Sequence, residues 1–454
     1  MGRKAGKPFR LFDAILAAVC VVMLVEAAVP SAAIGNSKYF WWILSMVAFF
    51  LPYGLVTAEL GTTYCGGGGL YDWINRGFGP KWGTRAAFYY WLQFALWLAA
   101  LGVLFTEVLT QAFGFTMGTW TQVIIQLIFI WFVCLLSLLP ISESKILINI
   151  CSVFKVAIMV LLGILGVIFA LNHGVANPIE SSRELLPNLT GVSFIAVVLF
   201  NFMGFEVVTT FADEMKNPKR DIPKALMIAG LLIMCIYLFA SFGIAAAIPR
   251  DMLCTSGGLL DSFRFFLTYM GLPSIILPIV ALMFLYSLVA NPVVWALGVN
   301  HVAYHAAKNG DLPRVFAKES KKGAPLGAKV ISSIVASVLV ILAPFIPNPD
   351  IFWGFFALQI IMLLLPYIMM FPAFLKLRRT DAGRVRPYRV PGGKLFLRLI
   401  TWVPVVMLVV AGVLVAVHPK DDGSGLNFEW LMIIGTILAL IIGEILVFAC
   451  RKNR

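Results

Sequence analysis

Four ionisable side chains stand inside apolar runs long enough to cross a bilayer: Glu26, Glu107, Lys155 and Glu206. A charge in hydrocarbon costs roughly 2.5 to 3.5 kcal/mol even on insertion scales, so such residues pair, face water or take part in function. Three carboxylates against one ammonium leave their surroundings formally negative, which a cationic ligand or a bound proton corrects. Glu26 lies in VVMLVEAAVPSAAIG (21–35), where Pro30 lacks a backbone donor and Ala27, Ser31, Ala32 and Gly35 offer little bulk. A helix can open there if the freed backbone lines a cavity, which places Glu26 to meet a substrate ammonium.

The same logic recurs in FNFMGFEVV (200–208), where Gly204 and Glu206 interrupt a second apolar run and Asn201, Phe202, Met203 and Phe205 surround the interruption. An aromatic ring beside an ammonium adds a cation–π contact, a role open to Phe202 or Phe205. Asn291 and Trp295, one turn apart, share a helix face and form a candidate cavity wall. Glu206, Lys155 and Glu107 are the candidates for proton coupling or gating.

Other chemistries have no support. His301 and His305 are one turn apart but form a weak metal-ligand set by themselves, so no metal is expected. GGGG (66–69) lacks the Gly-Lys-Ser/Thr continuation of a phosphate loop, and no Ser/His/Asp arrangement stands out. No cofactor is expected, and a proton or substrate gradient is left as the energy source. The seven cysteines show no paired ligand spacing and read as small buried hydrophobes.

The elements that must position these residues are membrane helices. Of 454 residues, 61% are apolar and 13% charged, and the mean hydropathy is +0.93, which excludes an ordinary soluble domain. The net charge of +13 does not point to nucleic acid, because most of the 35 Lys and Arg fall in loops on one side of a twelve-span arrangement. That is the positive-inside pattern, so both termini are expected in the cytoplasm, with the bilayer and its anionic headgroups as the basic surface's partner. Apolar runs predict spans over 11–35, 39–61, 82–113, 119–139, 144–171, 190–215, 225–248, 272–308, 330–346, 351–376, 396–417 and 426–450. A Gly-rich turn and a short amphipathic helix follow the second span, with Trp73, Phe78 and Trp82 suited to the headgroup region.

The two interrupted spans, the first and the sixth, stand five apart. An odd separation makes the second half enter the membrane from the opposite side, which is an inverted repeat with broken helices paired at the midplane. The expected organisation is an N-terminal segment over 1–10, a first repeat over 11–172 and a second over 173–376. A basic loop and two appended helices then occupy 377–454.

The chain resembles the amino acid/polyamine/organocation (APC) superfamily, and within it the bacterial glutamate/γ-aminobutyrate antiporter branch. The resemblance rests on LPYGLVTAELGTTYCGGGGLYDWINRGFGPKWG, FMGFEVVTTFADEMKNPKRDIPKAL, GDLPRVFAK and YRVPGGK, in that order and at matching spacing. It implies an all-α, LeuT-type 5+5 fold with two extra helices, and secondary transport of amino acids or their decarboxylated amines by exchange or proton coupling. It also implies a plasma or bacterial inner membrane location and a monomer or homodimer. Lys155 matches a lysine whose ammonium takes the place of the sodium ion of sodium-driven relatives, and the resemblance gives Glu206 a part in gating. Many relatives have a Gly-Ser-Gly break in the first helix, where this chain carries Glu26. A channel or a membrane enzyme acting on small amines is the competing expectation. An enzyme needs a catalytic cluster near one interface, whereas these charges lie within spans.

Overall fold

The computed structural model describes residues 10–64, 66–139, 141–187, 195–209, 215, 217–249, 252–253, 258–320, 323–346, 351–419 and 426–452; the expected N-terminal segment lies almost wholly outside them. The chain is helical nearly throughout. Helix α1 (Leu11–Val22) stops where Met23 and Leu24 turn extended, a 3-10 turn covers Val25–Ala27, and α2 (Ala28–Ala33) follows. The two segments are bent by 55°. The bend thus falls at residues 23 and 24, ahead of Glu26, and not at Pro30. Pro30 occupies the first turn of α2, where an N–H has no intrahelical acceptor and its loss costs nothing.

Helix α3 (Lys38–Thr63) contains a π turn over Met46–Phe50 just before Pro52, whose missing N–H disturbs the hydrogen-bond ladder of the preceding turn. Then come α4 (Gly69–Phe78), α5 (Pro80–Phe113), α6 (Thr119–Ser137) and α7 (Ile141–His173). Two short helices, α8 (Ile195–Phe200) and α9 (Glu206–Thr209), flank a turn in which Gly204 has φ 103°. Next are α10 (Pro218–Ala247), α11 (Gly258–Met270), α12 (Ile276–Lys308), α13 (Leu326–Leu342), α14 (Ile351–Thr380), α15 (Lys394–Ala416) and α16 (Trp430–Lys452). Between the last two, Val417–Pro419 and Leu426–Phe428 pair as an antiparallel ribbon, a small departure from an all-α chain.

Ten helices are long and apolar enough to cross a membrane, and the bent α1–α2 pair makes eleven among the described residues. The expected sixth span includes residues 190–194 and 210–214, which lie outside that description; α8 and α9 fall within it. The chain is a polytopic integral membrane protein.

Burial separates a central layer from a lipid-facing one. In α5 78% of the most apolar stretch is buried, in α14 72%, and in α16 only 22%. Helix α16 instead presents Ile434, Ile441 and Phe448 outward, as a bilayer requires of a peripheral span. Helices α7 and α10 touch through bare backbone: a Cβ on Gly166 would come within 2.1 Å of the Gly243 carbonyl oxygen.

At the basic end of α14 a buried clasp closes the bundle. Arg378 donates to both Glu59 carboxylate oxygens (Nε, 2.8 Å), Arg386 approaches the same group at 3.2 Å, and the Val390 N–H donates to it at 2.7 Å. Nearby, Tyr71 donates to Asp311 (2.6 Å) and accepts from Asn75 and Asn309. Burial raises the Tyr71 phenol above its ordinary range, and the Asp311 hydrogen bond adds to this. Trp73 of α4 is fully buried, so it is a packing residue and not a headgroup anchor; Trp82 is 44% exposed. Of the described cysteines, Cys20, Cys134 and Cys151 are buried as expected, whereas Cys235 is exposed on α10 and Cys450 half-buried.

Candidate functional site

Where α1 stops, its last carbonyls lose their intrahelical donors and need others. Three distant helices supply them. Lys155 of α7 donates to the carbonyls of Cys20 (2.7 Å) and Met23 (2.5 Å). In the amide orientation that satisfies its neighbours, Asn291 of α12 donates to the Cys20 carbonyl (2.8 Å) and accepts from Lys155 (2.9 Å). Trp295, one turn further along α12, donates its indole N–H to the Val21 carbonyl (2.8 Å). Tyr237 of α10 donates to the Leu24 carbonyl (2.8 Å) and accepts from the Leu24 N–H (2.7 Å). An ammonium at the C-terminal end of a half-helix also meets the negative end of its dipole.

The turn between α8 and α9 lies directly against this break. A Cβ on Gly204 would meet the Trp295 ring at 2.7 Å and Val21 at 3.0 Å, so glycine is required by contact as well as by its positive φ. The Tyr237 hydroxyl also reaches the Asn201 side-chain oxygen (3.1 Å), and one phenol thus joins Leu24 on the first segment to Asn201 on the second. Phe202 packs edge-on to Trp42 (5.2 Å) and beside Phe50 (5.3 Å), and Phe205 lies against Phe50 (5.0 Å) and Tyr53 (6.2 Å). Met203 is buried with them.

Glu206, the first residue of α9, is buried and held by three phenols. Tyr53 of α3 donates to it, as do Tyr90 of α5 (2.5 Å) and Tyr367 of α14 (2.5 Å). Tyr53 in turn accepts from the Glu206 N–H (3.2 Å), and Tyr367 from the Gly204 N–H (3.0 Å). Tyr53 and Tyr367 therefore both cap the start of α9 and occupy its carboxylate.

Glu26 is treated differently. It is half-buried in the 3-10 turn, one of its carboxylate oxygens is buried with no hydrogen-bond partner, and Lys155 is near enough to act on it electrostatically. Ala27 and Ala32 are buried beside it, and the Ser31 hydroxyl donates to the Ala27 carbonyl (2.8 Å), an intrahelical use that takes up its proton. Asn201 Nδ2 is a second buried side-chain atom without a partner at the paired turns, among the described residues.

Of the expected residues, the structure brings together Lys155, Asn291, Trp295, Gly204 and Asn201 around the α1 break, with Glu26 just beyond it. Glu206 forms a separate centre with the tyrosines. Glu107 belongs to neither: it is 17 residues past Tyr90 on the same helix, about 25 Å along the axis. Sequence reasoning missed Tyr53, Tyr90, Tyr237 and Tyr367. The available signal was a phenol within an apolar run, because a buried Tyr hydroxyl must find a partner.

Interrupted segments meeting at a buried charged cluster, inside a bundle of apolar spans, define a membrane transporter and not an enzyme. Residues 9–439 match the amino acid permease family, and the chain belongs to that family, within the APC superfamily. It is 46% identical over 443 residues to the probable agmatine/putrescine antiporter AguD of Lactococcus lactis, a match covering 97% of this chain and 94% of that protein. An uncharacterized transporter of Legionella pneumophila is 28% identical over 452 residues, covering 96% of each chain. A glutamate/gamma-aminobutyrate antiporter of L. lactis is 22% identical over 422 residues, with 90% of this chain and 83% of that one covered.

Proposed function

We propose that the protein is an antiporter of protonated amines, exchanging one small amine for another by alternating access. The observation that carries this reading is the unpartnered oxygen of Glu26, set beside a Lys155 whose ammonium is already committed. An ammonium has three N–H donors, and three acceptors surround that of Lys155: two carbonyls and the Asn291 amide oxygen. The site therefore offers an incoming molecule a free anion and leaves no free cation for a carboxylate. An ammonium about 4 Å from Glu26 gains roughly 4 kcal/mol at an effective dielectric of 20. The similarity to a probable agmatine/putrescine antiporter supports the same chemistry.

In this reading the fold is a LeuT-type 5+5 inverted repeat of twelve spans, with broken first and sixth spans, two appended helices and both termini in the cytoplasm of a bacterial inner membrane. Glu26 binds the ammonium, with Ala27, Pro30, Ser31 and Ala32 on one side. Asn201 to Phe205, Asn291 and Trp295 form the other. Lys155 is the fixed countercharge of the first break, which favours substrate exchange over proton cycling at that residue. Glu206 and its tyrosines form the gate. A second reading has one observation in its favour: the free Asn201 Nδ2 is a neutral donor that an amino acid carboxylate would use.

Counterflow in proteoliposomes decides between them. Vesicles loaded with putrescine are challenged outside with labelled putrescine against agmatine, ornithine or arginine. The amines compete and the parent amino acids do not. Competition by the amino acids alone removes the amine reading, and label entry unaffected by internal putrescine removes the antiporter.

A further inference from the structure

Gly79, with φ 88°, makes the turn from α4 into α5, and Pro80 opens the second helix. A cavity of about 560 Å³ lies at this turn, within the roughly 300–1,000 Å³ of small-molecule sites. Its wall includes Phe78, Lys81, Trp82 and Thr84, Asp311 just past α12, and Val447 on α16. The apolar span of α16 is 21 residues long, Trp430–Cys450, or about 32 Å at 1.5 Å per residue. That is the thickness of the hydrocarbon core, so Val447 in its last turn stands at the headgroup boundary. Trp82, an exposed amphipathic ring, suits the same depth.

Most ionisable groups around the cavity are already committed. Asp311 accepts from Tyr71 (2.6 Å), and Arg85, whose guanidinium lies 4.9 Å over the Trp82 ring, donates to both oxygens of Glu444 (2.5 and 2.7 Å). Lys81 has no ion pair among the described residues. Thr84 is only 3% exposed, yet its hydroxyl has no hydrogen-bond partner among the described residues. A buried donor without an acceptor is costly, and hydrocarbon supplies none. An ammonium and a hydroxyl that both lack partners, at the positive end of a 34-residue helix, fit an oxyanion.

We propose that this cavity binds the headgroup of an anionic phospholipid, phosphatidylglycerol, with the phosphodiester on Lys81 and Thr84 and the glycerol hydroxyls toward Asp311. A hydroxyl-bearing headgroup suits the lining carboxylate better than a bare phosphate does. A lipid also fits the depth of the site, beside an α16 whose Ile441 and Phe448 face outward and give acyl chains an apolar bed. Only 22% of the most apolar stretch of α16 is buried in the protein, so a lipid that touches both elements adds to what holds that helix to α5.

For the test, the full-length protein is delipidated in detergent and titrated with phosphatidylglycerol, phosphatidylethanolamine and phosphatidylcholine of identical acyl chains, and bound lipid is counted by native mass spectrometry. Phosphatidylglycerol is expected to bind at least about tenfold more tightly than either zwitterionic lipid, and Lys81→Gln and Thr84→Val each to weaken it by at least about fivefold. Lys394→Gln, at an exposed lysine of α15 outside the cavity, is expected to leave binding unchanged. Melts in lipid-free detergent report whether each variant is folded. A photoreactive phosphatidylglycerol on the parent protein needs no variant, and its label is expected on peptides holding residues 78–84 or 443–450. Four results each overturn the proposal: equal binding of the three lipids, an equal loss in Lys394→Gln, label confined to other peptides, or inorganic phosphate that blocks labelling at the same concentration as unlabelled phosphatidylglycerol.

Discussion

The two interrupted segments solve the same problem with opposite charges. At the end of α1 a cation is spent on carbonyls: Lys155, Asn291, Trp295 and Tyr237 occupy the acceptors that the helix left open, and the anion of that region, Glu26, keeps an oxygen free. At the start of α9 an anion is spent on hydroxyls: Glu206 takes three phenols, two of which also accept the N–H groups of Gly204 and Glu206. The difference separates a carboxylate whose bonds are complete from one left short of a partner. A buried group whose bonds are complete holds its neighbours in place, while one left short of a partner is costly alone and gains most from a ligand.

Four substitutions test that contrast, ranked by the stability they remove. Lys155→Met strips the donor from three acceptors, at about 1–3 kcal/mol each, and is expected to give the largest drop in melting temperature and to abolish exchange. A variant as stable as the parent would mean that the carbonyls of α1 do not depend on the ammonium. Glu206→Gln turns hydrogen bonds to a charged group into neutral ones, with donor facing donor at one amide position, and should lose about 1.5–3 kcal/mol. Thermal melts in detergent would show this, and an unchanged melt would refute the structural role of that carboxylate. Tyr237→Phe keeps the ring stacked on Trp42 (4.7 Å) and removes only the hydroxyl bridging Leu24 and Asn201, at about 1 kcal/mol. The expected signature is a lower exchange rate with little change in amine affinity; weakened affinity at an unchanged rate would move Tyr237 into the binding set. Glu26→Gln comes last in stability, within about 0.5 kcal/mol of the parent, yet should reduce amine affinity by at least about tenfold. Normal putrescine affinity in that variant would erase the contrast between the two carboxylates.

Much of this was legible in the residue order because membrane spans advertise themselves. The apolar runs located the long helices, and Glu26, Lys155, Asn201, Gly204, Asn291, Trp295 and Glu206 stood out as polar or small residues inside them. The exact bend was not legible: Pro30 attracts attention in a sequence, but the first turn of a helix accepts proline, and the opening two residues after α1 is held by partners more than 100 residues away. The tyrosines escaped for a related reason. Tyr53 and Glu206 are 153 positions apart and Tyr367 a further 161, and nothing local marks one phenol among several as a ligand of that carboxylate. Glu59 escaped because it sits near a helix end, where a charge reads as solvated until Arg378 and Arg386 are seen to cover it.

That clasp has a consequence for how the chain is made. Glu59 and Arg378 are 319 residues apart, so a ribosome working at about 5–20 residues per second delivers the guanidinium on the order of 15–60 s after the carboxylate. Until then the early spans carry an anion with no designated partner. The clasp on Glu59 therefore closes only after the later spans have been made, and the N-terminal half cannot finish packing on its own schedule.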